Sequence, residues 1–346
     1  MAAALINVAR ACDRQAKRGL MNRQSLVPGA ILALLLAALS AAPTTHGAPY
    51  AEKPIRIIAP SSPAGPPDLI ARMIGDKLAS AFGQPVTIEN RPGAGFTLGL
   101  NVVAKSAPDG YTLGILHMPA TVTPSLATAM PYDTEKDLAP VSLVAWSYNI
   151  LAVPAGSSAK SLADLVATAK AKPGTLKFSS AGNGTPAHLA GELLKREAGI
   201  EMIHIPYKGA AAAAVAIISG DVDMMIGAAG VLTPHIKSGR LRPLATPAPQ
   251  RFSAYPDLPT FGELGYPRVQ IREWLGLVAP TGTSKEVIER LNLEIAKAFA
   301  LPEMRQRLAL LGMEPAALGP IEFAALIRSD LQRWARFVRD AKIESD

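Results

Sequence analysis

Cysteine is almost missing from this chain of 346 residues: there is one, Cys12. A single thiol cannot close an intramolecular disulfide, and its position near the start removes it from the folded part if a leader is cleaved. Aromatic residues make up 5% and charged residues 18% of the chain. With 49% hydrophobic residues, 28 Gly and 30 Pro, that excludes a charge-rich disordered chain and fits a packed α/β protein with many turns. Apolar runs stay well below the about 20 residues needed to cross a bilayer. His, Asp and Glu never cluster at metal-ligand spacing, so no metal site is expected. No cofactor is expected either.

The first 48 residues read as a secretory leader. Arg10, Arg14, Lys17, Arg18 and Arg23 precede the apolar run 30–39, and small residues follow to Ala48. Cleavage after Ala48 is expected, giving an exported, periplasmic chain of 298 residues with no lipid-anchor cysteine at the new end. The basic part is long for a leader, and Met21 would be a more ordinary start. The whole chain carries 35 basic and 28 acidic residues. Removing five basic residues and Asp13 lowers its net charge from +7 to +3. That is too weak to argue for nucleic acid or a membrane surface as partner.

Beyond the leader, short β-branched runs alternate with helical periodicity, the pattern of parallel βαβ units. Residues 55–59, 86–89 and 111–116 are expected strands, and Leu69, Ile70, Met73, Ile74 and Leu78 mark the first helix. The extended stretch 141–156 leaves this unit. A second unit follows: a helix opened by Ser161 and Asp164 as a capping box, a strand at 176–179, a helix from Pro186 to Gly199, strands at 202–205 and 222–226 around a helix at 210–219, and a strand at 241–245. A second extended segment, 272–280, leads into three helices. The expected architecture is α/β with two lobes: 49–148 plus 272–346, and 149–271. Two crossover strands join them around a central cleft.

Ligand pockets in open α/β sheets form at the carboxyl ends of strands. Two loops stand there in equivalent places: 60–67, "PSSPAGPP", and 179–185, "SSAGNGT". Each offers hydroxyls and backbone N–H groups at a helix N-terminus, which attracts anions without a formal positive charge. The first is expected to supply donors from Ser61, Ser62, Ala64 and Gly65, with Asp68 fixing the loop. A third stretch, 89–99, imitates a dinucleotide fingerprint, but its last glycine is one position late and the acidic residue about 20 positions on is missing. It reads as a tight turn near the cleft mouth. Ser180 and His188 could form a nucleophile–base pair, yet no Gly-x-Ser-x-Gly elbow surrounds the serine. His188 reads as packed or capping, His204 and His235 as structural, and His117 as a possible cleft donor. Enzyme chemistry is not expected.

The motifs "KPIRIIAPSSPAGPPDLIAR", "GQPVTIENRPGAG", "APDGYTL", "FSSAGNGTPAHLAGE", "IPYKGAAAA", "GDVDMMI", "PHIKSGRLRPLA" and "WLGLVAPTGT" follow one another in a single order and spacing. The chain resembles the Bug family of extracytoplasmic solute receptors, the substrate-binding subunits of tripartite tricarboxylate transporters. The resemblance implies a two-lobed periplasmic binding protein, type II-like, that closes around a small carboxylate and delivers it to membrane subunits. It also implies a monomer. Carried onto this chain, the binding positions are Ser61, Ser62, Ala64 and Gly65, then Ser180, Asn183, Gly184 and Thr185. His117, Met118 and Thr121 should line the cleft, Trp146, Tyr148 and Asn149 lie on the first crossover, and Tyr207 and Gly227 come from the second lobe. Gly227 stands where many members have Asp, which argues against amino acids and for a simple organic or aromatic carboxylate. A sensor-kinase receptor is the alternative use of the same pocket, and an exported serine hydrolase the alternative class.

Overall fold

In the computed structural model, which describes residues 50–341 and 343, Ile55–Ala59 forms strand β1, with Ile55, Ile57 and Ile58 completely buried. A run apolar at every position but Arg56 suits a strand covered on both faces. The leader expected in residues 1–48 lies outside the described residues. Helix α1, Pro66–Phe82, follows β1 with two prolines in its first turn and ends at Gly83, whose left-handed φ of 66° lets its N–H reach Ala79 O. Ile70, Ile74 and Leu78 press its inner stripe onto the sheet. Strand β2 is Val86–Asn90, helix α2 is Thr97–Ala104, β3 is Thr112–His117 and α3 is Pro119–Leu126.

The first sheet has six strands in the order β11-β4-β10-β3-β1-β2. β1 runs parallel to β2 and β3, whereas β10, Glu273–Pro280, runs antiparallel to β3 and to β4, Leu138–Ser147. The second sheet has five, in the order β7-β6-β8-β5-β9. Its parallel trio is Lys177–Ser180 (β6), Ile203–Pro206 (β7) and Met224–Ala228 (β8), closed by antiparallel β5, Asn149–Pro154, which also pairs with β9, Leu241–Ala245. Each sheet thus has one parallel trio whose middle strand opens into a helix: β1 into α1, and β6 into α5, Pro186–Ala198. The remaining helices of the second half are α4 (Leu162–Ala171), α6 (Ala210–Ser219) and α7 (Ala229–Lys237). Ser161 and Asp164 exchange both hydrogen bonds of the capping box at the start of α4.

One residue separates the sheets on the outward path. Tyr148 lies between β4 and β5; its N–H donates to Gly312 O at 3.2 Å, and its carbonyl accepts from Ala229 N at 2.8 Å. The return path, 246–272, enters β10 beside it. There Asn149 Nδ2 donates to Glu273 Oε2 at 3.0 Å, tying the two crossings together. Burial pushes the Glu273 carboxyl up, against the pull of Asn149 and Ser147.

After β10 come α8 (Lys285–Ala300), α9 (Pro302–Leu310), β11 (Met313–Leu318) and α10 (Pro320–Ala341). α10 packs against α3 and β4, and Trp274 Nε1 donates to Asp330 Oδ2 at 2.6 Å between sheet and helix. Two helices and a strand differ from the sequence expectation. α2 and α3 were not expected, because α2 holds Gly99 and two adjacent valines and α3 carries an internal proline beside Thr and Val. β11 contains Pro315, which an edge strand tolerates because one side of its backbone faces no neighbour. Among the described residues no helix is long and apolar enough to cross a membrane.

Candidate functional site

The loop after β1 is organised by a carboxylate. Asp68, 1% exposed, is the third residue of α1, and its Oδ2 accepts from Ala64 N at 2.9 Å and Arg72 Nε at 3.0 Å. Asn90 Nδ2 donates both to Asp68 Oδ1 at 2.9 Å and to Ser61 O at 3.0 Å. Burial raises the Asp68 pKa, but the Arg72, Ala64 and Asn90 bonds outweigh it and hold the group below the usual carboxylate range. Gly65 N closes a turn onto Ser62 O at 3.1 Å, and Ser61 Oγ also donates to Ser62 O. The expectation that Ala64 and Gly65 offer their amides to a ligand therefore needs correcting: both donate within the loop. Ser62 is exposed.

The glycine-rich stretch after β2 is a left-handed turn. Gly93, Ala94, Gly95 and Phe96 all have positive φ, at 124°, 46°, 58° and 75°. Two non-glycine residues in that region are unusual and need surrounding contacts to hold them. Thr123 Oγ1, on α3, donates to Gly95 O at 2.9 Å, and a Cβ on Gly95 would lie 3.0 Å from Thr123 Cγ2. Gly99 lets α2 approach the first loop, since a Cβ there would meet Pro60 Cα at 2.9 Å. These glycines serve close packing between loop 60–65, the turn and α3.

The loop after β6 repeats the wiring of the first. His188 is the third residue of α5, and its Nδ1 accepts from Gly184 N at 3.1 Å. Thr185 caps the helix by accepting from His188 N and donates its hydroxyl proton to Gly182 O at 2.7 Å. The His188 ring stacks on His204 with centroids 4.0 Å apart and 8° between planes. Burial, and then the neighbouring His204 and Lys195, push the His188 pKa down to about 3, so the ring is neutral at pH 7. Ser180 Oγ lies 2.7 Å from His204 Nε2, not next to His188 as a nucleophile–base pair would require. Ser180 is fully buried and exchanges two further hydrogen bonds with the backbone of Gly182.

The two halves meet at Gly184. Its φ is +70°, and a Cβ there would lie 2.7 Å from Leu126 Cδ1 and 3.8 Å from Val122 Cγ1, both on α3. Both sides of this approach line a cavity of about 510 Å³. One wall is the turn 94–96 with Pro119, Val122, Thr123 and Leu126; the opposite wall is loop 181–185. Among the described residues no Asp, Glu, Lys, Arg or His side chain lines it.

The positions taken from the sequence distribute unevenly around this cavity. Asn183, Gly184 and Thr185 line it, although Gly184 N donates to His188 Nδ1 and both Thr185 N and its hydroxyl donate to Gly182 O; Ser61, Ser62, Ala64 and Gly65 do not line it. His117 sits behind Phe96, ring centroids 4.2 Å apart, with Nδ1 buried and unpartnered, and burial alone pushes its pKa down to about 3. Met118 and Thr121 are fully buried, and the Thr121 hydroxyl donates to Met118 O at 2.7 Å. Trp146 lies under the Arg272 guanidinium at 3.5 Å, beside the crossing held by Asn149. Tyr207 N donates to Ser180 O, which places Tyr207 beside loop 180–185, and Gly227 is packed against Met225. Phe96, Val122, Thr123 and Leu126 were missed. Phe96 follows directly on the glycine pair of the turn, a signal that could have drawn attention to it.

Among the described residues no group of three His, Cys, Asp or Glu side chains is arranged to hold a metal. Two α/β halves, each a parallel trio closed by antiparallel strands, with loops at the strand ends facing a shared cavity, define a solute-binding protein. Residues 70–343 match the family described as "Tripartite tricarboxylate transporter family receptor", and the chain belongs to that family. It is 35% identical over 322 residues to Protein BugT of Bordetella pertussis, covering 92% of this chain and 98% of BugT. Among solved structures it is similar to Rpa4515 of R. palustris with adipate, with a TM-score of 0.78 and 29% identity over 86% of this chain and all of that one. It is also similar to MatC of Rhodopseudomonas palustris with bound malate, with a TM-score of 0.73 and 30% identity over 84% of this chain and all of that one.

Proposed function

We propose that this protein is a periplasmic receptor that holds a small organic carboxylate in the cavity between α3 and loop 181–185. It then hands the ligand to the membrane subunits of a tripartite tricarboxylate-type transporter. The carrying observation is the approach of Gly184 to Leu126, which brings the loop at the α5 N-terminus against the turn and α3 of the other half. A helix N-terminus favours an anion there, and Asn183 and Thr185 stand on the same wall. The bound acids of Rpa4515 and MatC support the ligand class. Lobes of 49–148 plus 272–346 and of 149–271 would rock about Tyr148 and the Asn149–Glu273 link, with Ser61, Ser62, His117, Trp146 and Tyr207 joining the ligand on closure. A cleaved leader over 1–48 would deliver the chain to the periplasm.

A thermal-shift screen tests this. A ligand at 100 times its dissociation constant should add about 2.7 kcal/mol to stability. Carboxylic acids should raise Tm and matched amines or neutral sugars should not. The opposite ranking would overturn the reading.

A further inference from the structure

Resting on the reading that this cavity takes a carboxylate, we propose that its ligand is a monocarboxylate with an apolar tail, and that Phe96, Val122 and Leu126 select it. The cavity is unevenly lined. Loop 181–185 presents Asn183, Thr185 and backbone, whereas the rest of the lining presents the Phe96 ring and the aliphatic side chains of Val122, Leu126 and Pro119, with two hydroxyls, Thr123 and Thr128. The hydroxyl of Thr123 already donates to Gly95 O. Among the described residues no cationic side chain lines the space. An acid group set against loop 181–185 therefore projects the rest of its molecule toward hydrocarbon.

A second carboxylate at the far end would lose hydration with no cation and only the Thr128 hydroxyl to replace it, which is unfavourable. A methylene chain or ring there removes apolar surface from water on both sides. Phe96 is held where it must be for this. Its left-handed backbone follows the turn pinned by Thr123, and its ring edge rests on the buried, neutral His117.

Calorimetry with butyrate, hexanoate, octanoate and adipate tests the inference on the wild-type chain. Affinity should rise about fourfold per added methylene, the equivalent of ~0.8 kcal/mol each. Hexanoate should bind at least tenfold tighter than adipate, which differs only in its second carboxylate. Leu126 is half-buried, so Leu126→Lys is expected to fold, and it should reverse the order in favour of adipate. Adipate binding the wild type as well as hexanoate, or affinity flat across the chain-length series, would overturn the tail assignment and leave the carboxylate reading standing. No binding by any of the four acids, with no acid active in the thermal screen, would overturn both.

Discussion

The loops after β1 and β6 share a backbone plan and differ in the side chain that anchors it. In both, an extended N-cap precedes a proline: Gly65 at φ −71°, ψ 159° and Thr185 at φ −71°, ψ 156°. In both, the residue before the cap is left-handed, Ala64 at 64° and Gly184 at 70°, and its N–H donates to the side chain at the third helical position. That side chain is an ionised carboxylate, Asp68, in the first loop and a neutral imidazole, His188, in the second. A Gly/Ser-rich loop at a helix start is thus not automatically a row of free donors, because its own helix can take them. Gly184 N and Thr185 N of the second loop are committed internally too, so what sets that loop apart is that it lines the cavity.

The largest expected effect on this comparison is Asp68→Ala. It leaves Asn90 and the Ala64 amide without their charged acceptor and should cost about 3 kcal/mol, discounted for the half-exposed Arg72. Urea unfolding measures it, and an unchanged midpoint would show that the first loop does not need its carboxylate.

Acid should separate the loops next. The folded pKa of His188 lies below the unfolded value, so its stabilising contribution is complete above about pH 6.5 and is lost as pH falls toward 3. Relative to His188→Gln, which keeps an acceptor for Gly184, the wild type should lose about 2 kcal/mol between pH 7 and 5. Asp68 is also depressed, and its contribution is lost only at lower pH, as the medium falls below about 4 toward the folded value. Parallel pH profiles for wild type and His188→Gln would break the assignment; His117 contributes equally to both.

Gly184→Ala combines a strained φ with a contact against Leu126 and should cost about 1–2 kcal/mol. Adding Leu126→Ala should recover the steric part while leaving the backbone part, a non-additivity that a double-mutant cycle in urea would detect. The smallest effects contrast the two loops in binding. Asn183→Asp should weaken acid binding about tenfold or more by like-charge repulsion, roughly 1.4 kcal/mol. Ser62→Asp, off the cavity and in water, should change it less than about threefold through screened interactions. Equal losses measured by calorimetry would return the first loop to the centre of the site.

Much of the fold was legible because strands and helices carry their own periodicities. Ile55–Ala59 is apolar but for Arg56, the 210–219 helix has its observed bounds, and the crossing at Tyr148 is readable as an extended run between two βαβ patterns. α3 was not legible: its prolines and β-branched residues contradict helix propensity, and packing against α10 overrides them. Of the candidate site, the second loop could be located from its Gly, Ser and Thr. Which of its amides were already taken could not, since that depends on a histidine at the third position of the next helix.

The order of the elements, the two equivalent loops at strand ends and the lack of cationic chemistry in either are properties of the sequence alone, because they follow from local pattern and residue type. Only the tertiary structure decided that Gly184 meets Leu126 and that Phe96 faces the cavity. It also committed the amides of Ala64 and Gly184 internally. Those outcomes depend on how two sheets, joined through Tyr148 and the return path 246–272, bring distant segments within a few ångströms, and no local pattern encodes that distance.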